Sequence, residues 1–221
     1  MENAAKRIPV FLLSLVLMAF GVVLSTQAVL GTSPISSVPF VYSLGSGLSL
    51  GTATMVFNAF IIIGGAVVMG RDYKLRYLSA VVMVAIFSAL CDVFKSLMGF
   101  ITTDSYVVQW ILIVIAAFIV ALGVSLEVAA NVTMMPGEYF VSFVAFRTHV
   151  DFGRVKVLFD VSMITIAAVM SLMYFGGLQG VREGTVFAAV VIGMIVRRIN
   201  VFYKNVGFFD WIGFSGISAR V

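Results

Sequence analysis

Long apolar runs separated by short polar segments dominate the chain. A hydrocarbon core of about 30 Å requires roughly 20 apolar residues in a helix. Six stretches meet this requirement: residues 8–30, 51–69, 77–98, 107–130, 155–174 and 184–196, the last running on through Arg197 to Phe202. The pattern therefore predicts an all-α integral membrane protein with six transmembrane helices.

Composition narrows the function classes. Charged residues make up 11% of the 221 residues, whereas a soluble domain carries about 25%. The net charge of +4 comes from cations scattered between apolar runs, so we expect no nucleic-acid partner. One cysteine, Cys91, and one histidine, His149, leave no intramolecular disulfide and no cysteine or histidine metal cluster. Without a phosphate loop or nucleophile elbow, we expect neither an enzyme nor a bound cofactor.

The cations also predict an orientation. Lysine and arginine are enriched in cytoplasmic loops. If the N-terminus is cytoplasmic, only Lys95 and Arg182 fall outside, and the other twelve of the fourteen cations fall inside. Both termini are then cytoplasmic. Residues 206–221 carry Phe208, Phe209, Trp211 and Phe214 with few charges, so this tail is predicted to lie at the inner membrane surface.

The two halves of the chain align without gaps at a shift of 102 residues. Gly21 then falls on Gly123 and Pro34 on Pro136. These residue types set backbone geometry, so their coincidence indicates a repeat. The predicted units are residues 1–105 and 106–205, with three spans each. Because three is odd, the second unit is predicted to enter the membrane upside down, an arrangement that recurs in secondary transporters.

Each unit carries an interruption after its first span, marked by Gly31 and Pro34 in one unit and by Pro136 and Gly137 in the other. Proline suits the first helical position, and Ser33 is a candidate N-cap. Short helices are predicted over residues 34–44 and 136–146. Two interpretations remain open: re-entrant helices that line a cavity, or ordinary surface turns.

Ionisable and polar side chains within the spans are the candidate site. Asp160 and its repeat partner Asn58 are predicted near the midplane, and the alternative is that Asp160 only neutralises Lys156. Glu138 lies in the first turn of a short helix, where it binds ligand or caps the helix. The remaining predicted ligand-binding residues are Ser36, Ser37 and Asn131.

Glu127 is the candidate coupling residue, together with Asp160. Glu127 lies four residues before Asn131 and so shares its helix face. It is interpreted either as a proton carrier or as an interfacial group that reaches water. Asp92 is expected to pair with Lys95, one turn away.

Two runs carry a family resemblance. Residues 21–39 (GVVLSTQAVLGTSPISSVP) and 123–137 (GVSLEVAANVTMMPG) resemble the two repeats of the YczE/YitT-like family of small bacterial membrane proteins, and residues 182–186 (REGTV) resemble its closing segment. The resemblance spans residues 7–205. It implies location in the bacterial cytoplasmic membrane and an internal repeat, and it supplies no substrate.

These patterns favour a transporter or facilitator for a small polar or cationic molecule, bound between the repeats. The alternative is a binding or accessory protein that captures a ligand or regulates a partner without transport, and an ion channel is a third, weaker reading. The expected partners are the lipid bilayer and a small-molecule or ion substrate. The small-residue pair Ala189 and Gly193 also permits a homodimer.

Overall fold

The computed structural model describes residues 2–212, and these fold as helices joined by short loops. The helices are α1 (Glu2–Gln27), α2 (Pro34–Ser46), α3 (Leu50–Met69), α4 (Ser79–Met98), α5 (Tyr106–Ala130), α6 (Pro136–Thr148), α7 (Phe152–Phe175), α8 (Glu183–Asn205) and α9 (Phe208–Trp211), with 3-10 turns at Gly70–Asp72 and Leu75–Leu78. Six of them, α1, α3, α4, α5, α7 and α8, are long and apolar enough to cross a membrane. The predicted six-span helical fold is confirmed.

The two short helices begin where proline predicts. Pro34 opens α2 and Pro136 opens α6, and each helix has 13 residues. At 1.5 Å per residue they are about 20 Å long, shorter than a hydrocarbon core. Gly47 ends α2 in a left-handed conformation (φ 75°), and His149 ends α6 in the same way (φ 55°).

The helices pack as two groups of four. One group joins α1, α4, α5 and α8 around a core that includes Leu15, Val23 and Phe87. The other joins α2, α3, α6 and α7 around Val41, Val141 and Phe159. Each group takes two helices from each half of the chain, so neither half folds around a core of its own.

Helices α1 and α5 cross closely because glycine lies at both sides of the contact. A Cβ on Gly21 would meet Val120 and the Ala116 carbonyl, and a Cβ on Gly123 would meet Met18 and the Ser14 carbonyl. Residue numbers rise along α1 as they fall along α5, so the two helices run antiparallel. An inverted repeat requires this direction of its first and fourth spans; the inversion itself stays a prediction.

Two local expectations are wrong. The Ser33 side chain does not cap α2, because its Oγ donates to Ser36 Oγ at 2.9 Å instead. Asp92 does not pair with Lys95. Its Oδ1 accepts the Gly51 N–H at 2.6 Å, since the start of α3 has unbonded N–H groups that attract a carboxylate.

Lys95 turns towards the end of α1 instead. Its Nζ donates to Thr26 Oγ1 at 3.3 Å and Gln27 Oε1 at 3.2 Å.

The described part of the tail packs at the bundle end where α1 begins. Ile212 is fully buried against Ala129 and Val10, and the Arg7 Nε donates to the Ile212 carbonyl at 3.2 Å. Phe208 and Trp211 stack on each other in α9. Phe214 and the Phe209 side chain lie outside the described residues, so the predicted interfacial tail is tested only in part of its length.

Candidate functional site

The first turns of α2 and α6 meet in the interior of the bundle. A Cβ on Gly137 would overlap Ile35 Cδ1, and it would touch Phe159 Cε1 at 3.6 Å. Glycine therefore lets the two short helices approach at their N-terminal ends. Both ends carry the positive pole of a helix dipole, which favours negative or electron-rich groups nearby.

A carboxylate from α5 lies at this junction. Glu127 is 1% exposed, and its Oε1 accepts the Met135 N–H at 2.8 Å, so it caps the start of α6. Its Oε2 is buried and has no hydrogen-bond partner among the described residues. Burial on this scale contradicts the interpretation of Glu127 as an interfacial group that reaches water. A buried carboxylate oxygen without a partner is costly, and such groups are candidates for proton or cation binding.

Glu138 connects Glu127 electrostatically to two further ionisable side chains. Glu138, in the first turn of α6, is within electrostatic range of Glu127 and also of Lys156 and Asp160 in α7. Lys156 and Asp160 form an ion pair of 2.6 Å one helical turn apart. The alternative expectation for Asp160, that it neutralises Lys156, therefore matches the structure. The structure links three of the predicted site residues, Glu127, Glu138 and Asp160, into one electrostatic group.

The α2 side of the junction is neutral. Ser36 accepts the hydrogen bond of Ser33, and the fully buried Ser37 donates to the Pro34 carbonyl at 2.5 Å. Pro39 lies inside α2 and has no N–H to donate to the Ile35 carbonyl one turn earlier. The first turn of α2 therefore carries hydroxyl groups and no ionisable side chain, in contrast to the first turn of α6 with Glu138.

The two predicted amide ligands, Asn58 and Asn131, lie in different environments. Asn58 is 4% exposed; its Nδ2 donates to the Thr54 carbonyl at 2.9 Å, and its Oδ1 is unpartnered within the described chain. It lies one turn before Ile61 and Ile62, which line a cleft that reaches Pro136. Asn131, by contrast, is exposed and ends α5 with a φ of 47°. The helix ends before Asn131, so the predicted shared face with Glu127 is wrong.

Sequence reasoning missed an aromatic cluster beside the junction. Tyr73, Tyr77, Tyr139 and Phe143 pack with ring centroids 4.9 to 6.1 Å apart and line the narrow cleft that reaches Pro136. Burial, with smaller effects of Tyr139 and Tyr77, raises the pKa of Tyr73 above its ordinary value. The four-residue spacings, 73 to 77 and 139 to 143, were the available signal.

Hydroxyl groups continue from this cluster across the interruption after α5. Ser79 Oγ donates to Thr133 Oγ1 at 2.9 Å, and Thr133 Oγ1 lies 3.3 Å from the Tyr139 hydroxyl. Thr133 and Met135 belong to the segment that Glu127 caps. The junction therefore combines the buried carboxylate of Glu127 and the partly exposed carboxylate of Glu138 with a wall of hydroxyl and aromatic groups, a set suited to holding a proton, a small cation or a polar cationic molecule.

Comparison with protein families gives one match. The profile described as "Family of unknown function (DUF6198)" covers residues 5–201. The chain belongs to the DUF6198 family. The matched residues include both interruptions and the whole junction, so the candidate site lies in the part of the chain that the family shares. Comparison with curated proteins and with solved structures found no match.

Proposed function

We propose that this DUF6198 protein is a membrane transporter or facilitator for a small polar or cationic molecule, coupled to protons through Glu127. The observation that carries the proposal is the Glu127 carboxylate, fully buried in a spanning helix with one oxygen unpartnered among the described residues. A structural carboxylate in that position is expected to find a second donor or a cation. A carboxyl group that carries protons needs an oxygen that is not already hydrogen-bonded to the protein.

The packing of the short helices supports a central site between the halves. Helix α2 packs on α7, and α6 packs on α3, so each short helix contacts a spanning helix of the other half. Together with the antiparallel crossing of α1 and α5, this pattern favours two inverted repeats related by a pseudo-twofold axis. In transporters built this way the substrate binds where interrupted helices meet.

The predicted location is part of the same proposal. Arg7 donates to the Ile212 carbonyl, which supports two termini on one side of the membrane. The distribution of lysine and arginine favours the cytoplasmic side. We infer a bacterial inner-membrane protein, as the resemblance to the YczE/YitT-like family implies, and a homodimer is a further hypothesis.

The close packing of the site supports a second candidate function. The cleft beside α6 is narrow and its aromatic rings contact one another. A protein that captures a ligand or regulates a partner, without moving substrate across the membrane, fits such a closed site. Flux in purified liposomes separates the two functions.

The test uses purified full-length protein in proteoliposomes with an internal pH dye. Amines, amino acids, polyols and carboxylates are added outside, and thermal shifts in detergent are measured with the same panel. We expect an amine or another polar cation to stabilise wild type and to drive proton movement.

The variants decide the residue assignment. Glu127→Gln keeps an acceptor for the Met135 N–H, so it should fold while losing proton movement by at least about a hundredfold, as expected for loss of a positioned proton-transfer group. Glu138→Gln tests the neighbouring carboxyl group. Glu183→Gln is the matched control, since Glu183 is exposed and pairs with Arg182. Ligand binding without flux in wild type would favour the accessory function, and unchanged flux in Glu127→Gln would exclude Glu127 as the coupling group.

A further inference from the structure

Helix α8 is the spanning helix that the rest of the protein covers least. Only 17% of its most apolar stretch is buried, compared with 56% for α1. It packs on α5 and lightly on α2. Its opposite face exposes Val186, Val190, Met194 and Val201, each at least half accessible. This face points away from the bundle and is available to lipid.

Two arginines interrupt that apolar face. Arg197 lies about 21 Å along α8 from Glu183 and about 12 Å before Asn205, at 1.5 Å per residue. If Glu183 lies at one boundary of a hydrocarbon core of about 30 Å, the Arg197 Cα lies about 9 Å inside the other boundary. From there an arginine side chain can extend its guanidinium towards the headgroup level while its aliphatic stem stays in the apolar layer.

Neither guanidinium has a counter-charge within the described part of the chain. The three ion pairs among these residues involve Arg147, Lys156 and Arg182 instead. No hydrogen bond to a protein group reaches Arg197 or Arg198 there either. Two adjacent guanidinium groups near a membrane boundary attract an anionic headgroup.

The surface around them has the shape and charge of a lipid site. Met194, Arg197, Arg198 and Val201 line an open groove of about 410 Å³ on α8. Val190, one turn before Met194 on α8, is also exposed and extends the apolar surface towards the membrane centre. Gly193 adds space there, since a Cβ at that position would meet no other group.

We propose that this groove binds an acidic phospholipid, with its phosphate on Arg197 and Arg198 and an acyl chain along Met194 and Val190. The planar guanidinium matches phosphate oxygens in a bidentate geometry. Basic groups at the membrane boundary recognise acidic headgroups, whereas zwitterionic lipids lack the net negative charge. This binding is independent of the transport function proposed above.

The experiment is native mass spectrometry of the full-length protein with phosphatidylglycerol and phosphatidylcholine of identical acyl chains. We expect phosphatidylglycerol to bind wild type at least about tenfold more tightly, as two cations near an anionic headgroup imply. Arg197→Gln/Arg198→Gln should abolish this preference. Arg71→Gln/Arg154→Gln, which removes two exposed arginines elsewhere, should retain it.

Further variants and ligands distinguish lipid binding from the binding of other anions or of a second copy of the chain. If the double variant does not fold, the single variants and Arg197→Lys/Arg198→Lys replace it, and the lysine variant should show an intermediate preference because it keeps charge without the planar fork. Equal binding of both lipids, or a preference that survives the glutamine substitutions, would overturn the proposal. Stabilisation by glycerol phosphate alone, or a lipid-free dimer that masks α8, would also overturn it.

Discussion

The interruptions after α1 and after α5 have the same backbone plan and different chemistry. After α1, Ser25 hydrogen-bonds Thr32 Oγ1 at 2.5 Å and the Val22 carbonyl at 2.6 Å. At the position 102 residues later stands Glu127, whose Oε1 caps α6 and whose Oε2 is unpartnered within residues 2–212. The Ser25 and Thr32 side chains of the first interruption are neutral and hydrogen-bonded. The second interruption holds an ionisable carboxylate, one oxygen of which has no hydrogen-bond partner within residues 2–212.

The difference between the two interruptions indicates which side chains the turn requires and which it does not. Both interruptions turn the chain from a spanning helix into a short helix that begins at proline, and hydroxyl groups are sufficient for that task after α1. A buried carboxylate adds a desolvation cost that the turn itself does not require. We therefore assign the proposed proton step to the α5 interruption and a mainly structural role to the α1 interruption.

The largest expected effect comes from giving both interruptions a carboxylate. Ser25→Glu places an acidic side chain among Ile113, Ala116 and Ala117, which lie around Ser25. Because these neighbouring side chains are apolar and offer the carboxylate no hydrogen bond, the free energy of unfolding should fall by about 3 kcal/mol or more. Equilibrium unfolding in mixed micelles measures it. Glu127→Gln is the control and should cost less, and a Ser25→Glu variant as stable as wild type would show that the two environments are equivalent.

A smaller effect is expected where the two short helices touch. Gly137→Ala should lower the free energy of unfolding by about 1–3 kcal/mol, because the added Cβ overlaps Ile35 Cδ1. Ile35→Val removes that atom, so most of this penalty should disappear in Ile35→Val/Gly137→Ala. The coupling energy of this double-mutant cycle is the measurement.

The matched control is Gly193→Ala, at an open position in α8, which should stabilise the protein by about 0.5 kcal/mol through helix propensity. Additive effects of Ile35→Val and Gly137→Ala would mean that the short helices do not meet at these residues.

The smallest effect concerns the start of α2. Ser33→Ala should change the unfolding free energy by less than about 0.5 kcal/mol, since Ser33 does not cap the helix. Asp151→Ala is the comparison. Its Oδ1 accepts the Gly153 and Arg154 N–H groups at 3.0 and 3.3 Å, and loss of such a cap costs about 1 kcal/mol. A larger loss for Ser33→Ala than for Asp151→Ala would restore the capping role predicted from sequence.

Sequence reasoning located most of the fold, and it named three carboxylates, Glu127, Glu138 and Asp160, that the structure connects electrostatically. The spans were predicted within a few residues, and Pro34 and Pro136 start the short helices as expected. Asp92 and Asn131 were misplaced. Each prediction followed the regular spacing of one helix, whereas the start of α3 captures Asp92 and the left-handed end of α5 carries Asn131 outward.

By itself, the sequence determined which segments are spanning helices and where the short helices begin. Both properties are local: an apolar run of sufficient length must satisfy its own backbone in lipid, and proline constrains its own φ and removes its own donor. Only the tertiary structure decided that Glu127 is buried at the start of α6 and that Tyr73 and Tyr77 join Tyr139 beside it. Those environments depend on groups from distant helices, because burial and electrostatic range are properties of packing.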